Sequence, residues 1–407
     1  VTGTPHVSRR RLLGYVGTTG AGAVAGAGLG AGVVLAADAG NDPPAASAPP
    51  APGRTIEPWG AHQAGVATAP TEVTELVALD LLPDVDRESL GRLMRLWTGD
   101  VEALTAGRGA PGDPAPWLSQ PAADLTITVG AGPGACRPGL LGPGPTGFAA
   151  IPVMRRDRLQ DRWSGGDLLV VVAGRDGTTV AHAVRRMVAD ARPFARLRWR
   201  QVGSWSPTDP AGRPQTGRNH FGQVDGSGNP RPGTPLFDST VWVREGPWAG
   251  GSTLAVRRIR MDLDTWEELT RDEQERSVGR RLGDGAPLTG GMEIDDLDLA
   301  ARAQGRLVVP RDAHSRRAHP SLNGGRRMFR KGVNYTREVE TRDGVRVESG
   351  LVFLAYQADL LDQFVPVQRS LDEADRLNEW TTTVGSAAFA VLPGFEQGSW
   401  LGEQLLG

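Results

Sequence analysis

Two segments of this 407-residue chain carry residue types able to do chemistry together. The first is Phe221-Gly222-Gln223-Val224-Asp225-Gly226-Ser227-Gly228-Asn229-Pro230, a single acid set among glycines. Taken alone, an aspartate in that setting marks a turn, where its side chain bonds its own backbone. A glycine-rich loop also cradles phosphate, but neither the dinucleotide fingerprint nor the Lys-Ser/Thr pair of a P-loop is present. The second segment runs from Val309 to Tyr335 and holds two of the six histidines, His314 and His319, with seven Arg or Lys residues against one acid. An imidazole there offers a metal ligand or a proton carrier, and spacing alone does not choose between the two rings. A basic run of this kind serves as a solvated face or an anion site. A nucleic-acid patch is disfavoured, because the chain is net acidic (−2) and Phe329 alone among aromatics interleaves the basic residues.

The elements around these segments read as two similar halves. In the first, the apolar pattern predicts a strand over Thr74 to Leu82 and a helix over Asp86 to Ala106, the latter with Leu90, Leu93, Leu96, Trp97, Val101 and Leu104 at helical spacing. Strands over Leu125 to Val129 and Asp167 to Ala173, a helix over Thr178 to Ala191 and a strand over Ala195 to Trp205 complete the order βαββαβ. The second half repeats it. A strand is expected over Thr253 to Leu263, a helix over Asp264 to Gly279 and a strand over Arg327 to Tyr335. Leu351 to Tyr356, Leu360 to Asn378 and Ala387 to Leu392 then supply strand, helix and strand. The fold expected is α+β, two ferredoxin-like βαββαβ units. The long connections after Val129 and after Gly279 are the places for functional loops.

In order along the chain, these segments resemble the dye-decolourising peroxidase family. Gly222 to Gly226 matches its Gly-x-x-Asp-Gly signature, and Asn229 follows as it often does in that family. Ala313-His314-Ser315-Arg316 and Phe329-Arg330-Lys331-Gly332-Val333-Asn334-Tyr335 match its Ala-His-x-Arg and Arg-to-Gly-x-x-Tyr segments. Further likeness lies in Gly350 to Asp359, Gln363 to Pro366, Leu377 to Glu379, Gly385 to Ala387 and Pro393-Gly394, while Trp59 to Gly65 resembles the opening of the exported, deferrochelatase/peroxidase-like branch. Gln223-Val224 departs from the aromatic and basic pair many relatives carry. The resemblance spans about Pro58 to Gly394.

It implies a peroxidase that binds haem b in the C-terminal unit, with hydrogen peroxide and dyes, phenolics or other reductants as substrates. His314 takes the place of the axial iron ligand, with His319 as local competitor. Asp375 is expected as the carboxylate partner that raises its basicity, ahead of Asp372. On the other face Asp225 would move a proton between the peroxide oxygens, and Arg330 would stabilise the departing one. Phe353 and Leu354 are expected to wall that pocket, and Arg316 to meet a haem propionate. Bulky reductants need a surface relay, for which eleven Trp against three Tyr favour tryptophan. The same ligand set also serves a deferrochelatase, which takes iron from haem, and a non-catalytic haem carrier would need only the ligand.

Composition sets the remaining bounds. One cysteine, Cys136, excludes an internal disulfide, a thiolate zinc cluster and a cysteine-ligated iron–sulfur centre. Ser8-Arg9-Arg10-Arg11-Leu12-Leu13, a Gly/Ala-rich apolar stretch and Ala37-Asp38-Ala39 read as a twin-arginine signal over 1–39. The glycines make that stretch a poor membrane helix and no second long apolar run follows, so no stable membrane span is expected. Residues 40–65 read as a Pro/Ala-rich linker, 66–230 as the first ferredoxin-like unit and 231–407 as the haem-binding one. Export through the twin-arginine translocase to the cell envelope or beyond is the expected route.

Overall fold

Strand β1 (Val73–Leu81) is an apolar run buried along most of its length. In the computed structural model, which describes residues 53–342 and 344–407, it is the centre of the first half. Helix α1 (Arg87–Thr105) begins where the Asp86 side chain accepts the Ser89 amide, and Leu90, Leu93, Trp97, Val101 and Leu104 of the expected stripe are buried, whereas Leu96 falls on the exposed face. Then come β2 (Thr126–Ala131), β3 (Leu168–Gly174), α2 (Gly177–Ala191), capped by Asp176, and β4 (Ala195–Ser204). The strands lie in the antiparallel order β4-β1-β3-β2.

The second half starts with α3 (Pro235–Val241) and β5 (Ser252–Met261), followed by α4 (Leu263–Glu267) and α5 (Arg271–Val278). The single helix expected over Asp264 to Gly279 is thus broken, because Thr270 and Glu273 form a capping box that starts α5 afresh. A small hairpin, β6 (Arg302–Ala303) and β7 (Arg306–Leu307), precedes α6 (His314–Arg317) and β8 (Phe329–Arg330). A long hairpin, β9 (Val333–Thr341) and β10 (Gly344–Gln357), leads to α7 (Val365–Ala374) and β11 (Thr381–Val391). The helix expected to run from Leu360 to Asn378 is a widened turn over Leu360–Phe364, then α7, then a tight turn over Arg376–Glu379. Pro366, which has no N–H to donate, falls where the wide turn passes into α7. The order β9-β10-β5-β11 repeats the ferredoxin-like arrangement of the first half.

The two sheets join at both edges. Ala390 and Val391 of β11 pair with Ala131 and Gly130 of β2, and Ser204 of β4 pairs with Asn334 of β9. With β5 paired to β10, eight strands close into a ring whose two junctions, β4 to β9 and β11 to β2, are short. Strand alternation then sorts the core. Val77 and Leu79 pack under α1 and α2, whereas Leu76 and Ala78 meet Leu254, Val256, Leu354 and Tyr356 of the other sheet. The stretch read as the end of a linker is packed on this body. Gln63 is buried and bonds Val129 and Leu392, and the His62 ring stacks 3.7 Å from Trp242. The segment read as an export signal lies outside the described residues.

Candidate active site

His314 is the first residue of the short helix α6, and its ring faces a cavity on the outer face of the second sheet. Nδ1 lies 2.6 Å from Oδ2 of Asp375. Asp375 sits where α7 ends. Its other oxygen accepts the Leu377 amide at 2.9 Å, which fixes the carboxylate in place. Burial opposes protonation of His314, but the charge and hydrogen bond of Asp375 outweigh it and raise the imidazole above its ordinary value. Nε2 of His314 has no hydrogen-bond partner among the described residues and is the atom left for a ligand. The competing residues are committed elsewhere. His319 uses both nitrogens, on Ser321 Oγ and Asp296 Oδ1, each at 2.7 Å. Asp372 accepts the amides of Arg155 and Arg156 at 3.1 and 2.9 Å.

The facing wall is the Gly222–Gly226 loop. Gly222 and Gly226 hold φ values of 80° and 143°, conformations that suit glycine and turn the chain sharply on either side of Asp225. The Asp225 amide donates to Gly217 O at 3.0 Å. Its carboxylate accepts from Asn219 Nδ2 at 3.3 Å and from Arg330 Nη1 at 3.1 Å. Gln223 keeps the loop ordered without the usual aromatic, since Asn219 Nδ2 also donates to its Oε1 at 3.2 Å. Arg330 arrives from β8, which pairs with β10 at Ala355.

Two adjoining hollows share His314, Arg330, Gln223, Phe353 and Leu371 as walls. Phe353 lines both hollows, but Leu354 lines neither. It is the neighbouring strand residue and points the other way, into the core between the sheets. Leu351, two residues before Phe353, lines the cavity instead, and period-two alternation was the signal that identifies it. Arg316 is also misplaced by sequence reasoning, because its guanidinium bonds Leu299 O at 2.7 Å and does not line either hollow. The cationic wall is made by Arg280, Arg326 and Arg327. Arg280 grips the carbonyls of Gly285, Glu293 and Asp295, and Arg326 bonds Asp362. Arg327 makes no side-chain hydrogen bond among the described residues, though its charge acts on Asp296, and it would be the arginine available to a carboxylate of a bound group.

A flat apolar macrocycle with two carboxylates and one open axial position suits these donors. Nε2 of His314, backed by the Asp375 carboxylate, would hold the iron of such a group, and the cavity walls would supply apolar contact and cations. Fold and site together define a haem-dependent peroxidase. Models of the Dyp-type peroxidase N-terminal and C-terminal domains match residues 63–204 and 216–396. A dye-decolorizing peroxidase of Thermobifida fusca is 38% identical over 366 residues, 85% of this chain and 84% of that protein. A deferrochelatase of Yersinia pestis is 32% identical, covering 83% of this chain and 81% of its own. The solved DyP-type peroxidase from Cellulomonas bogoriensis superposes with a TM-score of 0.80 at 42% identity, over 86% of this chain and 98% of its own. The chain belongs to the Dyp-type peroxidase family, and its cofactor is haem.

Proposed function

We propose that His314 holds the haem iron, that Asp225 moves the peroxide proton and that Arg330 stabilises the departing oxygen, in the peroxide-driven oxidation of dyes, phenolics or similar reductants. Haem supplies the redox chemistry. Asp375 keeps the His314 ring in one orientation and makes Nε2 a stronger donor. The Asp225 carboxylate takes the proton from one peroxide oxygen and returns it to the other. Arg330, always cationic, faces the charge that gathers on the leaving oxygen. Leu351 and Phe353 limit water around that charge, which strengthens its interaction with the guanidinium. The observation that carries this reading is the 3.1 Å contact between Asp225 and Arg330 on the same cavity as the free Nε2 of His314. A passive haem carrier has no use for that pair.

Asp225→Ala should slow the reaction with peroxide by about 10²–10⁴-fold while the protein keeps its haem. Stopped-flow mixing with peroxide, followed at the Soret band, measures this, and a native rate would remove Asp225 from the mechanism. A second reading is release of iron from haem, favoured by the curated relative that is a deferrochelatase. Metal-free porphyrin recovered from haem with no peroxide-dependent oxidation would support it over the first. Export by the twin-arginine translocase is supported by Arg9, Arg10 and the apolar stretch after them. Lys at both positions should trap the precursor inside the cell, and undiminished secretion would refute that route.

A further inference from the structure

We infer that Asn229 is a positioning residue for Arg330, selecting which nitrogen of its guanidinium faces the cavity; this rests on the proposed role of Arg330. Asn229 Nδ2 donates to Arg330 O at 2.8 Å, and Asn229 Oδ1 accepts the Arg330 amide at 3.2 Å. The side chain thereby acts as a one-residue strand, supplying β8 with the donor and acceptor that a neighbouring strand would bring. The same Oδ1 also accepts Nε of Arg330 at 3.2 Å. With Nη1 directed to Asp225 at 3.1 Å, two of the three guanidinium nitrogens are assigned. Nη2 makes no hydrogen bond among the described residues, and it is the nitrogen left for a ligand oxygen.

A guanidinium on three flexible methylenes would otherwise sample many directions beside Asp225. Fixing Nε fixes the plane of the fork, so the proton carrier and the charge stabiliser meet one peroxide in a single geometry. The Gly-x-x-Asp-Gly loop thus contributes at both ends: Asp225 supplies the acid, and Asn229, four residues on, aims its cationic partner.

The test is a double-mutant cycle on the haem-loaded protein. Asn229→Ala should slow the reaction with peroxide about 10- to 100-fold at full haem content. In the Arg330→Leu background the same change should have no further effect, since both act on one contact. Asn229→Asp, which keeps the acceptor for Nε but loses the donor to the carbonyl, should keep most of the rate. A readout independent of turnover is hydrogen exchange in the peptide carrying the Arg330 amide, which should speed in Asn229→Ala. Equal slowing by Asn229→Ala in both backgrounds, or a native rate in the single variant, would overturn the inference. A native rate in Arg330→Leu alone would instead overturn the role of Arg330.

Discussion

Asp375 joins His314 to the end of α7: one oxygen lies 2.6 Å from Nδ1 of His314 and the other accepts the amide of Leu377 at 2.9 Å. A carboxylate held at both ends cannot turn away from the ring, so the orientation of His314 is set by the backbone of another element. The following expectations depend on that geometry and on its neighbours.

Asp375→Asn leaves a neutral oxygen where an anion supported the imidazole. The iron ligand becomes a weaker electron donor, and haem affinity should fall by about 10- to 100-fold, as for other partners of metal-bound histidines. The reduction potential of the iron should become more positive by potentiometric titration. An unchanged potential would mean that Asp375 orients the ring without tuning it.

Bulky reductants too large for the cavity require a path to the surface. Phe221 lines the cavity, the Trp266 ring is 4.5 Å from it, and Trp380 is 5.2 Å from Trp266. Trp380 in turn lines a surface groove where Asp262, Asp264, Glu267, Glu348 and Glu379 outnumber Arg260 and Arg346, a balance that favours a positive hole. Trp163 is the poorer relay, because Arg258 and Arg337 lie 4.3 and 5.2 Å from its ring. Trp380→Phe should slow turnover of a bulky dye and leave the reaction with peroxide unchanged. Dye turnover at the native rate in that variant would point to oxidation at the haem edge.

A separate effect of pH arises between α1 and α2. Asp100 is buried, and that burial, with the hydrogen bond and charge of Asp190, pushes its carboxyl up to about 8 from 3.8. Between those values the folded protein keeps a proton that the unfolded chain releases. The stabilising effect is complete below about pH 4 and is lost as pH rises to about 8, at up to about 1.4 kcal/mol per pH unit. Asp100→Asn should flatten this slope in chemical denaturation across the window. An identical slope in the variant would show that Asp100 titrates normally.

Much of this was legible in the residues. The apolar pattern located the strands and helices of the first half, because the helices there bury one face and β1, β2 and β3 are short runs buried on both. It failed on Asp264 to Gly279 and Leu360 to Asn378, where an internal cap and a widened turn interrupt helices whose apolar spacing runs on. Closure of the two sheets rests on only three residue pairs, too few to leave a pattern. In the site, Asp225, His314 and Arg330 were singled out by the resemblance to the family's motifs, since residue type and spacing alone left His314 and His319 open. Arg316 and Arg327 did not separate, since seven basic residues share one segment and only the fold decides which of them meets a carbonyl and which the cavity. Leu354 was a parity error of one residue along β10.

The central claim is that His314 supplies the axial nitrogen opposite Asp225 and Arg330. The most direct measurement is the haem content and Soret spectrum of purified His314→Ala, beside His319→Ala as a control. His314→Ala should lose most of its haem or show a weakly ligated iron, with His319→Ala close to native. Full haem content and an unchanged Soret band in His314→Ala would contradict the assignment.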